Sequence, residues 1–189
     1  MTSTATLKPQ IVTRNPIPAG WWTGRTLVRY EVQHTWIALS FDDATLVVLF
    51  VEEVNVGKWF EVFPLLISTG VPDHLSHYVF DWIALPAPLR IVTAQSLWRQ
   101  EWLAPADDCS QLVGAGPNFV QNVAPLGQAP AGMHVVDVVA GIALQGMNGE
   151  RMLICSSDNS PFRIDLAIES GAIAKILALH TLQSGVDRA

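Results

Sequence analysis

The densest group of residues able to do chemistry in this 189-residue chain is Asp73-His74-Leu75-Ser76-His77, with Asp81 shortly after it. Two imidazoles and neighbouring carboxylates in one short stretch can hold a divalent metal ion or move protons. The spacing works against a shared site. Side chains three residues apart share one side of a helix but point to opposite faces of a strand. This stretch, with Gly70 and Pro72 just before it, reads as a loop entering a strand. A metal or acid–base site at His74, His77 and Asp81 is therefore the alternative expectation; the leading one carries no cofactor and no catalytic set.

The remaining candidates are weaker. Cys109 follows Asp107-Asp108, and neighbouring carboxylates disfavour a thiolate nucleophile. Cys155 stands in an apolar run, where cysteine usually packs. Glu52-Glu53 are adjacent, so on a strand they face opposite sides and cannot flank one glycosidic bond. Ser156–Ser160 is a polar turn without the register of a calcium loop. Gly114-Ala115-Gly116 lacks the third glycine of a phosphate loop.

The aromatic residues are more suggestive. The chain has seven tryptophans, and tryptophan anchors binding patches as readily as cores. Trp21, Trp22, Trp59, Trp98 and Trp102 are the expected recognition surface, with Phe60 and Phe63 beside some of them.

Positioning these groups falls to strands. Val28, Tyr30 and Val32 alternate with Arg29 and Glu31, the period-two pattern of a half-buried strand. Thr35–Phe41 continues it, Asp42-Asp43-Ala44 reads as a turn, and the all-apolar Leu46–Val51 reads as a central strand covered on both faces. Val54–Gly57 is expected to turn the chain, and Lys58–Ile67 to be a strand that Pro64 ends early or puts at an edge. Tyr78–Leu85 reads as a strand interrupted by Pro86 and Pro88. Ala94–Leu103 fits a helix or a strand. Met133–Leu144 and Arg151–Ser156 flank Asn148-Gly149, a strong hairpin signal. Ala172–Leu182 leans towards a short helix.

Trp36-Ile37-Ala38-Leu39 recurs unchanged as Trp82-Ile83-Ala84-Leu85, with an echo at Gly141-Ile142-Ala143-Leu144. At an offset of 105 (141 − 36), strand, turn and apolar strand match in order without a gap. A duplicated hairpin unit is the reading this supports. A propeller needs more repeats than the chain has room for.

The expected fold class is mainly β, with α+β the neighbouring class. It is an antiparallel sandwich or barrel-like body built from two related β-hairpin halves, with at most one or two short helices. Residues 1–24 are expected to be an N-terminal arm, and 25–189 a single β-rich domain. The irregular, Gly- and Pro-rich connection 105–132 should separate two sub-sheets.

Composition narrows the function classes. Half of the residues are hydrophobic and 15% charged, which is a globular rather than a disordered balance. The net charge of −6 disfavours general nucleic-acid binding and suits a basic partner. The apolar runs Leu46–Val51 and Ala172–Leu179 fall well short of the roughly 20 residues of a membrane span. Met1–Gln10 lacks the pattern of a signal peptide, and two distant cysteines do not suggest a disulfide framework. The expectation is a cytoplasmic, acidic, non-catalytic protein-interaction domain, in one version an inhibitor or accessory protein holding a basic protein. The alternatives are a ligand- or metal-dependent protein using the 73–81 loop, and a structural subunit of a larger assembly. A homo-oligomer is compatible with all three.

Overall fold

A computed structural model describes residues 10–12, 17–56, 60–103, 123–124, 134–157, 162–179 and 182–184. In chain order the first elements are β1 (Gln10–Val12), the one-turn helix α1 (Ala19–Trp22), β2 (Thr26–Val32), β3 (Trp36–Phe41) and β4 (Leu46–Val51). A small ribbon of β5 (Val54–Val56) and β6 (Phe60–Val62) precedes β7 (Leu65–Thr69). One 3-10 turn, Asp73–Leu75, then leads to the long β8 (Ile83–Leu103). The later elements are β9 (Val123–Ala124), β10 (His134–Gly146), β11 (Arg151–Ser156), β12 (Ile164–Ala167), α2 (Ser170–Leu179) and β13 (Gln183–Ser184).

The fold is mainly antiparallel β, with two short α-helices among the described residues. Strands follow the order β12-β11-β10-β8-β2-β3-β4-β7, and β1 pairs in parallel with β10. β8 joins two meanders, β2-β3-β4-β7 and β10-β11-β12: its first part pairs with β2 and its remainder with β10. Within the pairing with β2, Leu85–Pro88 interrupts the ladder between Ala84 and Leu89. Pro86 and Pro88 cannot donate ladder hydrogen bonds, so the break falls where it costs least.

The main core lies between the two meanders. Leu27, Ile37, Leu39, Phe41, Val47 and Leu49 of the first meet Ile142, Leu144, Met152, Ile154 and Ile164 of the second. The Ile164 N–H donates to the His34 carbonyl at 2.9 Å, joining β12 to the turn after β2. Trp22 is fully buried in this core, so the end of the expected arm is part of the body. Leu46–Val51 is covered on both faces, as its all-apolar run implies, and β3 beside it is too: Trp36, Ala38 and Val48 face a second cluster on the outer side.

The hairpins β3–β4 and β10–β11 have equivalent registers at the offset of 105. Trp36 pairs with Phe50 as Gly141 pairs with Cys155, and Leu39 with Val47 as Leu144 with Met152. Their turns match too. Phe41 N–H donates to the Thr45 carbonyl at 3.0 Å, and Gly146 N–H to the Glu150 carbonyl at 2.7 Å. The fourth turn residue is left-handed in both, Ala44 at φ 61° and Gly149 at φ 88°. Alanine is strained there and glycine is not. Ala44→Gly should therefore stabilise the protein by about 0.5–1 kcal/mol, and Gly149→Ala should destabilise it by about 1 kcal/mol. Urea unfolding of both variants checks the pair; the same sign for both would refute the argument.

Several local expectations are corrected. Residues 94–103 are strand, because β10 pairs with β8 along this stretch and supplies the hydrogen bonds. Residues 170–179 are helix, in line with the helical leaning of 172–182. Val54–Val56 pairs with Phe60–Val62 instead of only turning the chain, and the expected strand from Lys58 is divided at Phe63-Pro64. The helix α1 interrupts the expected irregular arm. Most of the 105–132 connection lies outside the described residues, with Val123–Ala124 pairing to β8.

Candidate functional site

Segment 78–82 crosses the outer face of the first meander as an extended strap without ladder pairing. Its residues still obey period two. Phe80 and Trp82 turn inward against the second cluster, while Val79 stands 88% exposed. Tyr78 packs edge-on to Trp36 at 5.1 Å, Phe80 lies 5.8 Å from Trp36, and Phe80 stacks on Trp82 at 4.9 Å. The Arg29 guanidinium covers the Trp82 ring at 4.8 Å. Such ring geometries add to plain burial.

Glu31 fixes the strap. Alternation along β2 predicts this side chain on a polar face, yet it is only 3% exposed. The reason is tertiary: the strap covers that face. Its carboxylate accepts from the Tyr78 hydroxyl at 2.5 Å, the Asp81 backbone N–H at 2.7 Å and Gln33 Nε2 at 2.9 Å. Donation to this carboxylate raises the Tyr78 pKa above its ordinary value, since the neutral phenol is the donor.

Val32 and Ile83 alternate with Glu31 and Trp82, so they point to the face of the sheet opposite the strap. Ile83 is 50% exposed, and Val32 and Tyr78 are also exposed. Val32 and Ile83 line an open depression of about 640 Å3 that continues to Ile164 and Leu166. Arg163 on its far side is held by Asp165 at 2.8 Å.

The residues expected to form a recognition surface are placed differently. Trp22 is fully buried and Trp98 is 5% exposed, so both are core residues rather than surface anchors. A β-rich body of this size needs large side chains to fill it, and these two do so. Trp21 is half-buried, edge-on to Trp22 at 5.1 Å, and carries the Arg25 guanidinium on its ring. Trp59 and the Trp102 side chain lie outside the described residues.

The 73–81 loop does not assemble the alternative site. The His74 ring packs edge-on to Phe50 at 5.7 Å, His77 is exposed in the following turn, and Asp81 is tied to Glu31 by its backbone. No group of three or more His, Cys, Asp or Glu side chains able to hold a metal ion forms among the described residues. The loop covers the sheet, and this role separates the side chains that metal binding would need to converge.

Sequence reasoning missed Glu31 as an anchor and Tyr78, Val79 and Ile83 as surface. The alternating aromatics Tyr78, Phe80 and Trp82 were the available signal, but a strand and a strap share that pattern. Comparison with protein-family models, curated proteins and solved structures gives no match. No helix among the described residues is long and apolar enough to cross a membrane.

Proposed function

We propose that this protein is a non-catalytic interaction domain that holds a protein partner on the strap, through Val79 and Tyr78. The observation that carries this reading is Val79, an apolar side chain held out in solvent on a strap whose neighbours are anchored. An exposed apolar side chain on a fixed segment suits an apolar pocket of a partner. A strap already fixed by Glu31 loses little conformational freedom on binding. The net charge of −6 favours a basic partner, which links the reading to an acidic inhibitor or accessory protein. A cytoplasmic setting accords with two cysteines distant in sequence. The equivalent hairpin registers support an origin of the two halves in one duplicated unit.

Val79→Asp tests the surface. Val79 is exposed, so its replacement should leave the unfolding transition nearly unchanged. Wild-type and variant proteins are used in parallel to capture partners from native lysate, and the retained proteins are quantified. A protein retained by the wild type and reduced about tenfold or more by the variant supports this surface. Equal capture by both, or no specific capture, refutes it.

A further inference from the structure

The outer face of the second meander carries a groove. In the first meander, Trp36, Phe80, Trp82 and Leu75 close the outer face. At the matching register the second meander has Gly141 in place of Trp36 and Arg151 in place of Leu46. A Cβ at Gly141 would meet the Ile154 carbonyl at 2.8 Å, so the chain is closely packed there, and at the other position a cation replaces an apolar side chain. A cavity of about 620 Å3 lies between this sheet face and α2, with Arg151 in its lining. That volume lies in the usual range for small-molecule sites, roughly 300–1,000 Å3.

Chemistry is graded along the groove. Thr93, Gln145 and Arg151 are cross-strand neighbours on β8, β10 and β11, so they form one polar row. The next row holds Gln95, Ala143 and Leu153, and Leu97 lies beyond. Ile173 and Leu177 of α2 line the groove as well, and Leu177 stays 42% exposed. Arg151 makes no side-chain hydrogen bond or ion pair among the described residues. The neighbouring Glu150 carboxylate accepts instead from Asn148, whose hydrogen bonds lower its pKa.

We infer that this groove binds a free aliphatic carboxylate of medium chain length. The alkyl chain lies over Ala143, Leu153 and Leu97 beneath α2. The carboxylate meets the Arg151 guanidinium, with Gln145 and Thr93 as further donors. Charge complementarity selects this occupant: a guanidinium without a counterion among the described residues, at the end of an apolar trough, fits a planar anion carrying a chain. The site is separate from the Val79 surface and does not depend on that reading.

Calorimetric titration of the full chain with sodium dodecanoate, below its micelle concentration, tests the assignment. Saturable binding at one site is expected. Arg151→Gln should weaken it about tenfold, while dodecanol should bind wild type and variant equally. Leu177→Asp, on the exposed side of α2, should weaken both ligands, and Val79→Asp should change neither. Unchanged thermal unfolding confirms that the variants fold. Absence of saturable dodecanoate binding, or equal affinity in wild type and Arg151→Gln, overturns the proposal. So does Arg151-dependent binding to phosphatidylglycerol vesicles without binding of the free acid.

Discussion

Arg99→Ala should destabilise the protein by about 3–5 kcal/mol. Arg99 is 2% exposed and uses its whole guanidinium. Nε donates to Glu101 Oε1 at 2.7 Å, Nη1 to the Ser156 carbonyl and hydroxyl at 3.1 Å, and Nη2 to the Phe63 carbonyl at 3.3 Å. These bonds link β8 to the end of β11 and to the residue between β6 and β7, joining the two meanders at one end. Alanine would leave the Glu101 carboxylate buried without its cation, orphan the acceptors and open a cavity. The pair itself is worth far less than its rupture costs, because burying both charges is expensive. The double variant Arg99→Met with Glu101→Leu should therefore recover part of the loss. Urea unfolding of the three proteins measures both effects. A loss below about 1 kcal/mol for Arg99→Ala would mean that water replaces the guanidinium at little cost.

Glu31→Ala should cost about 2–4 kcal/mol and release the strap. Three donors lose their acceptor together, and two of them, the Tyr78 hydroxyl and the Asp81 N–H, belong to the strap. The contributions are coupled, so they should not be summed. Glu31→Gln preserves the shape but loses the charge and brings donors of its own, and a smaller loss of about 1–2 kcal/mol is expected. Release should be local before it is global. Amide exchange at Asp81 should accelerate strongly in Glu31→Ala, while amides in β10 and β11 keep their relative protection. The aromatic near-ultraviolet signal of the Trp36–Phe80–Trp82 cluster should fall. Capture of a partner through Val79 should weaken, because the surface loses its fixed shape. Unchanged Asp81 exchange would show that the aromatic contacts alone hold the strap.

The outer surface was hardest to read from the chain. Glu31 sits at a position where alternation assigns solvent, and only the strap crossing that face makes it an internal acceptor. The Trp residues posed the opposite problem. Their number pointed to either core or surface, and the choice depended on neighbours distant in sequence. Trp22 and Trp98 were drawn into the interior, whereas aliphatic residues such as Val79 and Ile83, and Tyr78, are left exposed. His74 and His77 were candidates because they are close in the chain, but a 3-10 turn packed onto Phe50 keeps them from converging with Asp81 as a metal-holding group.

The repeated tetrapeptide separates the two levels of information. Trp36-Ile37-Ala38-Leu39 is buried throughout, whereas in Trp82-Ile83-Ala84-Leu85 both Ile83 and Ala84 are exposed. The chain by itself determined that the fold is mainly antiparallel β, and where the two matching hairpins turn. Those features depend on side-chain period and turn chemistry, which are local. Burial was decided only in the tertiary structure. β3 lies between β2 and β4 with clusters on both faces, while the second copy enters β8 from the strap with one side open. What covers a strand's faces depends on contacts between segments far apart in sequence, and period alone does not encode them.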